Sequence, residues 1–132
     1  MESGLIFPLL RGGGVISLGD SVFENQLSSE NGVRFGSQAT ATSFVQMSFR
    51  YAGKSDATGT GYIAVGEQDR SVDPKTFTRR GYLLIPLTDA GYYSVSFVVS
   101  EGMYPAWKFE EGKSFGNILT YMTTTPLTIV SN

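Results

Sequence analysis

Few residues in this chain could perform nucleophilic or acid–base chemistry, and the first of them is Ser21. An apolar run, Val15–Leu18, leads into a Gly-Asp pair and then Ser21, so a strand could present the serine hydroxyl at its end. A serine hydroxyl becomes a good nucleophile only when an adjacent base, most often histidine, accepts its proton. The sequence contains no histidine and no cysteine. No lysine stands at the S-x-x-K spacing either, because the third residue after Ser21 is Glu24.

The stretch Gly19-Asp20-Ser21 resembles the first block of the GDSL-type (SGNH) hydrolases, in which the nucleophilic serine follows Gly-Asp. That resemblance would imply an esterase on a flavodoxin-like α/β scaffold. The family's later Gly, Asn and His blocks have no counterpart here, and the helices of that scaffold are missing. We therefore interpret the stretch as a turn, in which Asp20 or Ser21 can cap the next segment, and we predict no catalytic residue.

Paired carboxylates are the other route to catalysis without histidine. The candidate pairs are Glu67 with Asp69, Asp69 with Asp73, and Glu110 with Glu111. A glycosidase needs two carboxylates roughly 5–10 Å apart across a cleft, one of them with a pKa raised by burial. These acids lie in loop-like stretches beside Arg70, Lys75 and Lys113, where solvent and cations would keep them ionised. A surface role is therefore favoured over catalysis.

A calcium site is the alternative for the stretch Glu67–Asp73, because carboxylates at alternate positions can converge on a cation. The glycine and the terminal glutamate of an EF-hand loop are missing from it. We predict no metal site and no cofactor.

The stretch "MYPAWKF" offers a different kind of site, an aromatic platform made of Tyr104 and Trp107. Aromatic rings suit binding surfaces because they combine a large area with a polar edge at low entropic cost. By strand alternation, however, Trp107 shares a face with Met103 and Phe109, and Tyr104 shares the other with Lys108. The pattern favours core packing for Trp107 and exposure for Tyr104, with a sugar-binding platform as the alternative.

The elements that must position these residues are strands. In "SFVQMSFRY" the apolar residues Val45, Met47, Phe49 and Tyr51 alternate with polar ones, and "YYSVSFVV" alternates in the same way from Tyr93 to Val99. Asn31-Gly32 is the signal of a type I′ hairpin turn, and Pro86 indicates a strand end, an edge or a bulge. The sequence predicts an all-β fold, an antiparallel β-sandwich of jelly-roll-like type with roughly eight to ten short strands.

Two segments are predicted to lie outside that β-sandwich pattern. Phe23 and Leu27, four residues apart, make Val22–Ser29 the one helix candidate. Seven charged residues crowd the stretch Glu67–Arg80, which predicts a solvated connection.

The stretch Asp89–Val95 resembles the D-x-G/A-x-Y-x-C signature of immunoglobulin domains. In that resemblance Tyr93 is the corner tyrosine and Val95 replaces the cysteine. The family's core tryptophan should lie upstream, whereas Trp107 lies downstream. The motif therefore predicts a Greek-key corner, at which Tyr93 hydrogen-bonds back across the connection into its strand.

Bulk properties exclude several classes of partner. A chain of 132 residues fits one domain and can bury about two-thirds of its unfolded surface. Its net charge of −2 gives no electrostatic reason to bind nucleic acid or an anionic membrane.

The first residues, Met1-Glu2-Ser3, lack the positive start and apolar run of a signal peptide. The charge-free run Ser114–Asn132 is interrupted by polar residues, so we expect a soluble protein that is not secreted.

The N-terminal segment supports two interpretations. Its hinge is the triplet Gly12, Gly13 and Gly14, since consecutive glycines occur where a chain bends or swings. The segment could be an ordinary first strand followed by a loop. It could instead be an extended arm of residues 1–14 that binds a partner through Leu5, Ile6, Phe7, Leu9, Leu10 and Arg11.

Taken whole, the chain resembles the small all-β head decoration (cement) proteins of tailed bacteriophages. The resemblance rests on layout: a β domain of this size without Cys or His, the segment "SGLIFPLLRGGG" and the tail "TYMTTTPLTIVSN". It implies a non-enzymatic structural virion protein on the capsid surface, made in the host cytoplasm. Its partners would be the major capsid protein or another virion protein, with self-association around a symmetry axis.

Two alternatives to the decoration protein stay open. The first is a glycan- or receptor-binding β-sandwich module, such as a phage tail-fibre domain, which would use Tyr104, Trp107 and the loops. The second is a carboxylate-based enzyme or metal-binding domain.

Overall fold

A computed structural model describes residues 6–8, 15–53, 60–73, 75–110 and 118–130, which form two antiparallel β-sheets. In chain order the strands are β1 (Ile6–Pro8), β2 (Val15–Leu18), β3 (Val22–Glu24), β4 (Ser28–Glu30), β5 (Val33–Phe35), β6 (Ser43–Tyr51), β7 (Thr60–Asp69), β8 (Thr76–Pro86), β9 (Gly91–Val99), β10 (Tyr104–Phe109) and β11 (Ile118–Val130). No helix long and apolar enough to span a membrane occurs in these five ranges.

Strand order divides the fold into two layers. The first sheet runs β1-β2-β11-β6-β9, with β3 also pairing β11, and the second runs β4-β5-β10-β7-β8. The predicted all-β sandwich is confirmed. Strands β8 and β9, consecutive in the chain, are edge strands of different sheets, so the chain crosses from one layer to the other between them.

The core lies between the sheets, on the faces that alternation predicts. In β6 the buried residues are Ser43, Val45, Met47, Phe49 and Tyr51, at every second position. Trp107 enters from the second sheet and is 2% exposed. Its ring lies edge-on to Phe49, 5.5 Å between centroids, and edge-on to Phe109, at 5.2 Å. Core packing of Trp107 is therefore confirmed.

Three predicted local structures are also confirmed. Asn31 and Gly32 have φ angles of 52° and 81° between β4 and β5, as a type I′ turn requires. Tyr93 donates a hydrogen bond to the carbonyl of Asp89 at 3.4 Å, across the connection into β9. Pro86 is the last residue of β8, a position at which a proline, which has no N–H, is tolerated in a sheet.

The predictions for two longer segments are wrong. Val22–Ser29 is not a helix, because Val22–Glu24 pairs with β11 and Ser28 begins β4. The charged stretch Glu67–Arg80 is not one solvated loop either, since β7 continues to Asp69 and β8 begins at Thr76. An edge strand can expose side chains on both faces, so β8 carries charged residues without alternation.

The N-terminal segment contributes an edge strand. The backbone of β1 pairs with β2 in the register Ile6↔Ser17, Phe7↔Ile16 and Pro8↔Val15, which is the arrangement of an ordinary first strand. The remaining predicted arm and hinge residues lie outside the described ranges: Leu5, Leu9, Leu10, Arg11, Gly12, Gly13 and Gly14.

The position of Trp107 yields a stability prediction. Trp107→Ala should lower the free energy of unfolding by roughly 3–5 kcal/mol, because a large aromatic ring leaves a cavity between the sheets. Tyr92→Ala is the matched control, since that ring is 76% exposed and its loss should cost no more than about 0.5 kcal/mol. Urea unfolding of both variants tests this, and equal losses would contradict it.

Candidate functional site

The two aromatic residues singled out by the sequence do not share a surface. Trp107 is in the core, whereas Tyr104 lies on the outer face of the second sheet, half-buried. The Tyr104 ring is edge-on to Phe35, with 5.9 Å between centroids. Tyr104 and Trp107 together therefore form no platform for a ligand.

Tyr104 belongs instead to a cluster covered by Arg70. The Arg70 guanidinium lies 3.7 Å from the centroid of the Phe35 ring and 5.8 Å from that of Tyr104. It donates a hydrogen bond to Gln68 Oε1 at 3.0 Å and forms an ion pair with Glu30. The hydrogen bond from Arg70 lowers the pKa of the Glu30 carboxyl. The charged and polar groups of this cluster are paired with one another. The cluster therefore covers this part of the outer face.

A different aromatic surface, which the sequence did not identify, lies farther along the same outer face. Tyr62 of β7 is 45% exposed, and Tyr82 and Leu84 of β8 are 57% and 53% exposed. Together with Glu110 they line a shallow depression of about 550 Å³. We call these four residues the tyrosine face.

Strand register places the two tyrosine rings side by side. Tyr62 is directly opposite Leu84, and Ala64 is directly opposite Tyr82. Tyr62 and Tyr82 are therefore diagonal neighbours on adjacent strands, with backbones about 7–8 Å apart. Ala64 is fully buried between the larger side chains around it.

Charged groups border the tyrosine face. Arg80 Nη1 lies 3.6 Å from Glu110 Oε1, and the Arg80 guanidinium lies 5.8 Å from the Tyr82 ring centroid. Glu110 Oε1 is shielded from solvent, and no described residue donates a hydrogen bond to it. The group at this border that an added polar ligand could reach is therefore the exposed Arg80 side chain.

Ser21 has a structural role. Its Oγ lies 2.7 Å from Thr125 Oγ1, and the neighbouring Gly19 N–H donates a hydrogen bond to the Pro126 carbonyl at 2.8 Å. Leu18 pairs with Leu127 and Val22 with Thr124, so residues 19–21 are an irregular connection that continues along β11 in the same direction. The interpretation of this stretch as a turn is therefore wrong.

Glu67 is the acid whose surroundings differ most from expectation, because it is only 4% exposed. Thr78 Oγ1 donates a hydrogen bond to Glu67 Oε2, and the Ser100 N–H donates one to Oε1 at 2.8 Å. Burial raises the pKa of the Glu67 carboxyl, but these hydrogen bonds outweigh burial and lower the pKa overall. The buried side chain is therefore ionised, and it joins β7 to the turn after β9.

Asp69, another acid of the hypothetical calcium stretch, has a local partner. Asp69 Oδ1 accepts a hydrogen bond from the Ser71 N–H at 2.9 Å and another from the Ser71 hydroxyl, which lowers the Asp69 pKa. Within the described part of the chain, no group of three or more acidic side chains is arranged to hold a metal ion.

Comparisons with known proteins do not identify a family for this chain. No family model matches the chain, and no curated protein matches it. A solved structure described as "Family 16 Carbohydrate Binding Module-2" is similar over 97% of this chain and 85% of its own, with 13% sequence identity and a TM-score of 0.29. A similarity this low carries no argument about function.

The surroundings of Glu67 predict a pH effect on stability. A carboxyl whose pKa is lowered by folding stabilises the protein above its unfolded pKa, and this contribution is lost as the pH falls through the folded value. Glu67→Gln should lower the free energy of unfolding at neutral pH by about 1–3 kcal/mol. It should also reduce the loss of stability below the ordinary glutamate value of 4.5.

Urea unfolding at a series of pH values tests this prediction. Glu101→Gln removes an exposed carboxylate from the nearby turn and is the matched control. An acid profile of Glu67→Gln that matches wild type would contradict the role assigned to Glu67.

Proposed function

We propose that the protein is a non-enzymatic binding module that recognises a glycan through the tyrosine face. The observation that carries this proposal is the pair of exposed tyrosines, Tyr62 and Tyr82, which strand register makes diagonal neighbours on one outer face. Aromatic faces pack well against the apolar C–H face of a sugar ring, and the phenol hydroxyls remain available at the edge. A tyrosine already held by a strand loses little conformational freedom on binding.

The charged border supports a glycan over a purely apolar ligand. A sugar presents hydroxyl groups around its apolar face, and these need donors and acceptors when water is displaced. The exposed Arg80 guanidinium can donate to such hydroxyls, and the phenol hydroxyls of Tyr62 and Tyr82 can donate or accept. Leu84 completes the apolar floor.

Two substitutions test the glycan proposal. Tyr62→Ala and Tyr82→Ala should each weaken binding about tenfold, equivalent to ~1.4 kcal/mol, because each removes one stacking surface. Affinity electrophoresis against a panel of neutral and acidic polysaccharides identifies the probe, and titration calorimetry then measures the affinity of each variant.

The matched controls remove aromatic rings elsewhere. Tyr92→Ala takes away a still more exposed tyrosine from the first sheet, and Tyr104→Ala takes away the half-buried ring beside Arg70. Both should bind as wild type does. Absence of binding to every polysaccharide, or equal losses in Tyr92→Ala, would refute the proposal.

A second candidate function is assembly on a virus head as a decoration protein. It is favoured by the position of β1 at the edge of the first sheet, where its far side pairs with no other described strand. An unpaired edge can add a strand from a neighbouring subunit, with main-chain hydrogen bonds providing affinity. The partner in this proposal is a major capsid protein, and copies of this chain would cluster around a symmetry axis.

Deletion of residues 1–14 tests the assembly proposal. The shortened chain lacks β1 but keeps the sandwich core, so it should remain folded by circular dichroism and lose binding to assembled capsid shells. Co-sedimentation with shells made from the capsid protein of the same genome measures this, and light scattering reports self-association. Binding retained after the deletion would exclude the N-terminal segment as the attachment site.

A further inference from the structure

The edge strands of the two sheets differ in how well they are protected against pairing with another chain. Proteins commonly protect an unpaired edge with charged residues, a proline, a β-bulge or a very short strand. Strands β1 and β4 are three residues long, and β1 also ends at Pro8. Strand β8 carries Arg79 and Arg80, contains a register shift against β7 and ends at Pro86. These three edges are therefore protected.

Strand β9, the edge of the first sheet opposite β1, has none of these features. Its nine residues, Gly91–Val99, include no charged residue and no proline, and all nine pair with β6 without a register shift. On its other side β9 pairs with no described strand. Alternate residues of an edge strand direct their N–H and C=O groups away from the neighbouring strand. The outer edge of β9 can therefore accept another strand.

The sequence of β9 is nearly symmetric about its middle residue, Val95. Ser94 and Ser96 flank that residue, and the aromatic residues Tyr93 and Phe97 come next on either side. In an antiparallel pair with a two-fold axis through Val95, each Ser94 would lie opposite a Ser96, and each Tyr93 opposite a Phe97. Aromatic pairs and paired hydroxyl side chains are favourable cross-strand neighbours. Strand β9 is therefore complementary to itself, as the interface of a two-fold dimer requires.

Both faces of β9 carry apolar side chains that such a pairing would cover. Toward the core, Tyr93, Val95 and Phe97 pack against the buried cluster but stay half-buried. On the outer face, Tyr92 is 76% exposed and Val98 is 40% exposed. The same two-fold axis would place each Tyr92 opposite a Val98. Apolar area would thus be removed from water on both faces of the joined sheet.

Two acidic residues beside β9 favour this register over its neighbours. Asp89 lies two residues before the strand and Glu101 two residues after it, and both are exposed. A shift by two residues would bring Asp89 opposite Val99, or Glu101 opposite Gly91. A shift by one residue would place inward-facing side chains opposite outward-facing ones. Pairing centred on Val95 keeps both acids beyond the ends of the paired strands.

We propose that the protein forms a symmetric dimer in which β9 pairs with β9 of a second copy, so that their first sheets join into one continuous sheet. An interface made by one strand from each copy is at the low end of specific interfaces, about 1,200 Å² in total. The dimer should therefore dissociate on dilution. Neither proposed function depends on it, because the tyrosine face is on the second sheet and β1 is at the opposite edge of the first.

Sedimentation equilibrium over a series of protein concentrations tests the proposal. The mass should rise with concentration from the 14.3 kDa of one chain toward twice that value. It should stop there, because a two-fold pairing uses the β9 edge of both copies. A mass that stays at 14.3 kDa up to millimolar concentration would overturn the proposal, and so would assembly that continues beyond two copies.

Charge substitutions at the two exposed serines test the edge and the register together. Ser94→Lys combined with Ser96→Lys places lysine opposite lysine at two points and should weaken dimerisation about tenfold or more. Ser94→Lys combined with Ser96→Glu places lysine opposite glutamate in the same register, so this variant should dimerise at least as tightly as wild type. A copy with both lysines should also pair with a copy in which both serines are replaced by glutamate.

The matched control adds the same two charges to another edge strand. Ser28→Lys combined with Ser29→Lys changes exposed residues of β4 and should dimerise as wild type does. Circular dichroism verifies that each variant is folded. Wild-type dimerisation in the double-lysine variant of β9, or an equal loss in the β4 control, would exclude β9 as the interface. If the lysine–glutamate variant is weakened as much as the double-lysine variant, the two-fold register is wrong.

Failure of the dimer can be distinguished from failure of either proposed function. The double-lysine variant of β9 should bind polysaccharide with wild-type affinity per chain, and deletion of residues 1–14 should leave dimerisation unchanged. Loss of the dimer on that deletion would place the interface at β1 and overturn the proposal. At concentrations at which the chain is a monomer Tyr92 is exposed, so Tyr92→Ala remains a control for unfolding and for polysaccharide binding.

Discussion

The edge-to-face contact of Trp107 with Phe49 joins the two sheets. It also determines which residues of the second sheet face outward. Side chains of a strand alternate between faces, so a one-residue change of register would turn every side chain to the opposite side. Because Trp107 must point inward, Tyr104 and Lys108 point outward. The pairing of β10 with β7, and of β7 with β8, extends that choice across the sheet to Tyr62 and Tyr82.

Local signals explain which parts of the fold could be predicted. Alternation identified the buried faces of β6 and β9, the Asn31-Gly32 pair identified a hairpin, and the residues before Tyr93 identified a corner. Each of these signals lies within about ten consecutive residues. The tyrosine face could not be found in this way, because Tyr62 and Tyr82 become neighbours only through the pairing of β7 with β8. Within their own apolar runs, "GYIAV" and "GYLLIPL", neither tyrosine stands out.

Glu67 shows why the density of charged residues alone gave a wrong prediction, a solvated connection, for the stretch Glu67–Arg80. The sequence places this acid among six other charged residues, which suggests full solvation. In the fold, a register shift between Glu67 and Gln68 allows Thr78 and Ser100 to surround the carboxylate, so burial is compensated by hydrogen bonds. The β8–β9 side of the sandwich is thus held partly by polar contacts.

Strand β8 carries Tyr82 and Leu84 of the tyrosine face, and it lies at the edge of the second sheet. Tyr82 and Leu84 face outward toward the depression, whereas Gly81 faces the other side of the sheet. Among the described strands only β7 pairs with β8, so fewer main-chain hydrogen bonds hold β8 than hold a central strand. A ligand on the tyrosine face would stabilise this strand against local opening. Arg80 shares the outer face with Tyr82, so its guanidinium would contact a ligand bound to the tyrosine face.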